Sequence, residues 1–194
     1  HYPLRRQRQM CIRDSYGSNG SIAPGRMSLE VEDALLDLFW RYAKQASIIS
    51  RTNIATANIV WDYTNGTENL VAMSLYTMWH AAKIFRDHPL YSGGTYDDGS
   101  TPETYYASCT AYFKEWLRDH ARKGGLVEFS NDFYNPMTLK GIYNFLDFSD
   151  DPALRDLSRK YLDLFWATWG QEQIGGVKGG GKARIYQGLS LIHI

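Results

Sequence analysis

Glu68 and Asn69 stand at the head of a stretch that is otherwise almost wholly apolar, Gly66 to Phe85 (GTENLVAMSLYTMWHAAKIF). In a helix they would occupy the first turn, at the positive end of the dipole and beside unpaired backbone N–H groups, a place suited to holding an anion or polar ligand. The same position suits a structural role, the acid offsetting the dipole and the amide capping. Two further acids, Glu128 and Asp132, follow in GGLVEFSNDFYNP. Glycoside hydrolysis needs two carboxylates about 5–10 Å apart, one protonating the leaving oxygen and the other acting as base or nucleophile. Glu68, Glu128 and Asp132 are candidates for such a pair; read more plainly, the two later acids are solvated loop residues. Trp61 and Tyr63 suit stacking on sugar faces, although six Trp and 14 Tyr make an aromatic side chain weak evidence by itself.

The run GVKGGGK, Gly176 to Lys182, has the G-x-x-x-x-G-K spacing of a phosphate loop. Its next residue is Ala183, with no hydroxyl for magnesium, and it follows a helical pattern instead of a strand, so nucleotide binding is not the expectation. A rim loop presenting Lys178, Lys182 and Arg184 to an acidic ligand fits better, and a plain flexible loop is the structural alternative. His80, about three turns into the apolar stretch, reads as a hydrogen-bonded core histidine. No metal-ligand spacing stands out, and no cofactor is expected.

The 21 basic and 21 acidic residues cancel, which disfavours nucleic acid and acidic membrane as partners. At 194 residues and 44% hydrophobic, the chain can bury a core of its own. No apolar run reaches the roughly 18 uncharged residues of a membrane span, because the longest candidate contains His80 and Lys83. The ends, HYPLRRQRQMCIRDS and LSLIHI, lack period and caps. They resemble translated sequencing adaptors found at the ends of metagenomic gene fragments. Residues 1–27 are therefore expected to be a disordered or artefactual lead-in, 28–187 the domain and 188–194 an artefactual tail, with the natural protein continuing beyond both. With Cys11 set aside, Cys109 alone decides nothing about redox compartment. Oligomeric state is not legible.

The elements that must position the candidate residues follow from periodicity. Ser28 caps a helix to about Ile48, with Leu29, Ala34, Leu35, Leu38, Phe39, Tyr42 and Ala46 as its apolar stripe. A long polar connection, 49–66, leads into the buried helix. After the loop 88–101, Ser100 and Glu103 form a capping box for a helix to about Lys123, ended by Gly124 and Gly125. Leu126 to Phe129 reads as a short extended piece. Asn135 and Pro136 start a largely apolar helix, and Pro152 starts a fifth that runs to about Trp169. Wet-faced and buried helices alternate, as in inner and outer rings of antiparallel hairpins. Direction alone then puts the three connections entering inner helices, 49–67, 124–135 and 171–186, on one rim, where function is expected.

This order, with GTENL opening one inner helix, GGLVEFSNDFYNPMTL leading to the next, then DFSDDPALRDLSRKYLDLFWA and GGGKARIY, resembles the (α/α) toroid carbohydrate-active enzymes, most closely the heparinase- and alginate-lyase-like group. The resemblance covers about Leu29 to Tyr186. It implies an all-α fold of antiparallel helical hairpins forming part of a toroid, here incomplete, a saccharide cleft across the rim, and a periplasmic or extracellular location. For a polysaccharide lyase it implies Tyr134 as base, activated by a neighbouring cation such as Arg184, with Asn69 holding the uronate carboxylate. Trp61, Tyr63, Asn131, Asp132, Lys182 and Tyr186 would contact the sugar. A glycoside hydrolase using paired carboxylates, Glu128 and Asp132 on the rim that carries Glu68, and a non-catalytic sugar-binding or scaffold domain, stay open beside it.

Overall fold

The computed structural model describes residues 10–58, 67–127, 129, 131 and 134–178. Residues 10–16 are helical (α1). They are followed by α2 (Leu29–Ala46), α3 (Glu68–Arg86), α4 (Pro102–Arg122), α5 (Tyr134–Phe148) and α6 (Pro152–Gln171). Beyond the helices lies a small hairpin in which β1 (Gln173–Ile174) pairs antiparallel with β2 (Val177–Lys178). The all-α expectation holds at that level. No helix among the described residues is long and apolar enough to cross a membrane. The chain forms two compact units, residues 1–56 with 70–112 and residues 57–69 with 113–194, the divisions falling inside α3 and α4.

In the first unit α3 is the buried element that its all-round apolar sequence requires. Trp79, Ala81, Ala82 and Phe85 have no exposed surface, and the indole N–H of Trp79 donates to Thr110 Oγ1 at 3.0 Å. Tyr105, Cys109 and Tyr112 of α4 are buried as their spacing predicts, and burial pushes the Cys109 thiol well above its ordinary pKa. Leu70 departs from the pattern and is 53% exposed.

The stripe expected for α2 is rotated. Ser28 caps it, its hydroxyl accepting from Val31 N–H, but the buried residues are Glu32, Leu36, Phe39 and Ala43. Leu29 and Leu38 are exposed. Glu32 explains the rotation, because its carboxylate accepts from Arg13 Nε at 2.9 Å and from Ser18 N–H at 2.8 Å, which draws an acid inward. The lead-in expected to lie outside the domain is therefore packed over its described part. Met10 is fully buried, and His80 Nε2 lies 2.6 Å from Asp14 Oδ2. Burial raises the Asp14 pKa, but hydrogen bonding and charge from His80, with Lys83 and Arg13, outweigh it and hold the carboxyl below the usual range. His80 is a hydrogen-bonded core histidine, as read.

The connection after α2 begins as two short 3-10 turns, Ile49–Thr52 and Ile54–Thr56. Two further expectations shift by local chemistry. Thr101, not Ser100, caps α4: Thr104 N–H donates to Thr101 Oγ1 at 3.2 Å and Thr101 N–H to Thr104 Oγ1 at 2.9 Å. Ser100 is held by Asp98 Oδ1, which accepts its backbone N–H at 3.0 Å. The extended piece after α4 is instead a turn, with Phe129 N–H donating to Leu126 O at 3.2 Å.

The second unit packs the end of α4 against α5 and α6. Phe113 of α4 and Phe145 of α5 meet at 4.7 Å between ring centroids, and both are fully buried. Asp151 caps α6 by accepting from Leu154 N–H at 2.8 Å and also receives Lys114 Nζ at 2.7 Å, while Pro152 supplies the preset first-turn φ. Leu154, Tyr161 and Phe165 face inward as expected, but Leu164 is 43% exposed. α5 is enclosed on one broad face only, leaving Tyr143 exposed to accept the Trp166 indole N–H at 2.7 Å.

Candidate functional site

The most concentrated polar chemistry of the second unit is built where α4 ends. Trp116 and His120 lie one turn apart, the spacing that stacks side chains on one helix face. Their rings are 3.7 Å apart at an interplanar angle of 22°. The helix stops because Gly124 and Gly125 take φ of 95° and 108°, left-handed values that glycine accepts without strain. Gly125 N–H then donates to His120 O at 2.7 Å, the closing bond of a glycine-terminated helix. The chain turns at once through buried Leu126 to Val127, whose N–H donates to Glu68 Oε2 at 3.1 Å.

Glu68, the first residue of α3, thereby faces His120. Its Oε1 is 2.8 Å from His120 Nε2, with side-chain exposures of 8% and 0%. The contact is at ion-pair distance but out of line for a well-directed N–H···O bond, since Nε2 makes no angularly satisfactory hydrogen bond; it is a close charge contact. On the other side of the ring Nδ1 donates to Trp116 O at 2.8 Å. Nδ1 and Nε2 thus each lie beside an oxygen, the Trp116 carbonyl and the Glu68 carboxylate. From α6, Tyr161 packs on Trp116 at 6.1 Å. Its hydroxyl is buried without a hydrogen-bond partner, and burial, then the charge of Glu68, pushes its pKa far up. It is not a base near neutral pH.

The start of α3 and the segment before it lie against the end of α4 and the segment after it. Besides the Glu68–Val127 bond, Lys123 Nζ donates to Asn58 O at 2.5 Å, so the segment before α3 touches the segment after α4. Asn69 is buried beside Glu68 and accepts the Thr67 hydroxyl on Oδ1 at 2.6 Å, which leaves its Nδ2 hydrogens as the donors of that amide. Asn131 is fully buried, and its Oδ1 accepts from Tyr134 N–H at 2.9 Å. The Asn131 carbonyl also accepts from Asn135 N–H at 3.2 Å, so the capping oxygens at the start of α5 come from Asn131 and not Asn135. Asn135 lies inside the helix, its Nδ2 donating to Phe129 O. Tyr134 is half-buried in the first turn of α5. Trp61, Tyr63, Glu128, Asp132, Lys182, Arg184 and Tyr186 lie outside the described residues, and with them the carboxylate pair and the Tyr134–Arg184 pairing.

Sequence reading missed His120 and Tyr161. A signal for the first was present: His120 follows Trp116 by four residues on the face that also carries Phe113. Nothing local, however, selects Glu68 as its partner. Among the described residues no group of three or more His, Cys, Asp or Glu is placed to hold a metal ion. No protein-family model, no curated protein and no solved structure matches the chain.

Proposed function

We propose that this chain is a carbohydrate-active enzyme whose helices are hairpins of an (α/α) toroid, and that it cleaves a uronate-containing polysaccharide by β-elimination. The observation that supports the reading is that the start of α3 and the segment before it meet the end of α4 and the segment after it, through Glu68 with Val127 and Asn58 with Lys123. The sequence before α3 and α5 and at their first turns carries Trp61, Tyr63, Asn69, Asn131 and Tyr134, the aromatic and amide equipment of a sugar cleft. Asn69 suits the neutralising role because Thr67 occupies its carbonyl, so the amide presents hydrogens to a carboxylate. Tyr134, as phenolate, takes the proton from the carbon beside the uronate carboxylate. The electron pair of that C–H bond forms the new C=C bond, and the glycosidic oxygen departs with its own pair and takes up a proton.

The test is incubation of the chain with alginate and with heparin, following both ultraviolet absorbance of unsaturated uronate and new reducing ends. Both signals rising together, and lost in Tyr134→Phe, is the expected result. Reducing ends without absorbance would overturn elimination, and neither signal would overturn enzymatic cleavage of these glycans.

A further inference from the structure

In the second unit α5 and α6 turn two aromatic rings outward, Trp166 at 47% exposure and Tyr143 at 38%. They meet across the helix pair, the Trp166 indole N–H donating to Tyr143 Oη at 2.7 Å. Phe165 packs edge-on against Trp166 at 5.3 Å and face-on against Trp169 at 5.8 Å, and the two indoles meet at 6.3 Å between centroids. The Trp166 ring is therefore fixed in direction, its N–H satisfied and its hydrocarbon surface open. The Tyr143 hydroxyl accepts that bond and keeps its own hydrogen to donate. One helical turn away stand Lys140 and Asp147 beside Tyr143, and Asp163 beside Trp166, on the same faces by their three- or four-residue spacing. All three are exposed, and none is in an ion pair among the described residues. We propose that this surface binds a neutral glycan of β-linked glucopyranose units, the C–H face of one sugar lying on Trp166 and its hydroxyls bonding Asp147, Asp163 and the Tyr143 hydroxyl. It is a non-catalytic site, about 14 Å along α5 from Tyr134, and does not depend on the elimination reading.

Aromatic faces and free carboxylates together select that class. The hydroxyls of β-glucopyranose are all equatorial, so each face of the ring is a flat layer of C–H groups that an aromatic ring can cover, while the hydroxyls project sideways as donors. Stacking alone would suit any apolar partner. The carboxylates narrow the choice, because they accept hydrogen bonds and offer none. A sugar supplies donors in the plane of its ring, whereas a proline-rich strand supplies carbonyl acceptors and an alkyl chain supplies neither. Of the three flanking charges two are negative, which works against a uronate chain. A ring already locked by its neighbours loses little freedom on binding, so the stacking contact is kept in the affinity.

Titration of the whole chain with cellohexaose, followed by tryptophan fluorescence and by isothermal calorimetry, tests this. One saturable site with a fluorescence change is expected, about ten-fold tighter than for hexagalacturonate. Trp166→Ala should weaken binding about ten-fold, the loss of one aromatic anchor, and Asp163→Ala about five-fold, the loss of one hydrogen-bonding partner. Both are exposed helical positions at which alanine favours the helix, so far-ultraviolet circular dichroism should stay unchanged. Tyr134→Phe should bind as the parent does, which separates this surface from the elimination site. Absence of saturable binding, unchanged affinity in Trp166→Ala, equal affinity for hexagalacturonate, displacement of cellohexaose by a proline decamer, or loss of binding in Tyr134→Phe would each overturn the proposal. So would a concentration-dependent dimer, seen in sedimentation and lost in Trp166→Ala, because a second copy would then cover the rings.

Discussion

Separating Glu68 from His120 should cost the second unit far more than either residue contributes alone in a solvated pair. At 2.8 Å and an effective dielectric near 20, the gross attraction is about 6 kcal/mol. Removing both ions from water costs several kcal/mol each, so the net contribution of the intact pair is small. Removing one partner is different, since it strands the other in the interior. Glu68→Gln keeps an oxygen for the Val127 N–H and deletes the charge, so it isolates the electrostatic part. His120 keeps its Nδ1 bond to Trp116 O, which places the cost near the lower end of the range for a broken buried pair, about 3 kcal/mol. His120→Phe keeps the ring stacked on Trp116 and should cost a similar amount by stranding Glu68. The double variant removes both charges, and its cost should fall below the sum of the singles by about 2 kcal/mol. Urea unfolding followed by tryptophan fluorescence and by circular dichroism supplies all four corners of the cycle. Costs that simply add to within about 0.5 kcal/mol would refute the coupling and with it the charged pair.

Two other perturbations concern the first unit. Because Asp14 is held below the ordinary carboxylate range in the fold, it adds stability that is fully present above about pH 4 and is lost as pH falls through its depressed folded value. Urea midpoints of the parent and Asp14→Asn should therefore differ most near pH 6 and converge in acid; a constant gap down to pH 2 would show that the contribution is not ionic. Gly94→Ala would put a methyl 2.5 Å from Trp40 Cη2, and Trp40 cannot swing away because Phe85, Tyr91 and Tyr96 hold it at centroid distances of 5.2, 5.1 and 5.4 Å. A loss of roughly 1–3 kcal/mol is expected from this overpacking, with a changed near-ultraviolet spectrum, and an unaltered melting curve would count against the packing described.

The amino-acid sequence by itself determined the local half of this protein. Apolar residues on every side of Leu70–Phe85 require enclosure, and α3 is enclosed. Ser28 caps α2, Asp151 and Pro152 start α6, and Gly124 with Gly125 stops α4, because caps and glycines act over three or four residues and can be read one element at a time. Tertiary structure decided which polar groups go inside. Glu32 turns inward only because Arg13 and Ser18 are there to meet it, and that rotates the buried face of α2 away from Leu29 and Leu38. His80 is matched by Asp14, His120 by Glu68, and the cap of α5 falls to Asn131 where a proline at the next residue had pointed to Asn135. A buried charge is tolerated only beside its complement, and the complement in each ion pair comes from a segment remote in the chain. Periodicity says which face of a helix is oily, whereas the partner of a buried ion exists only once the helices have met.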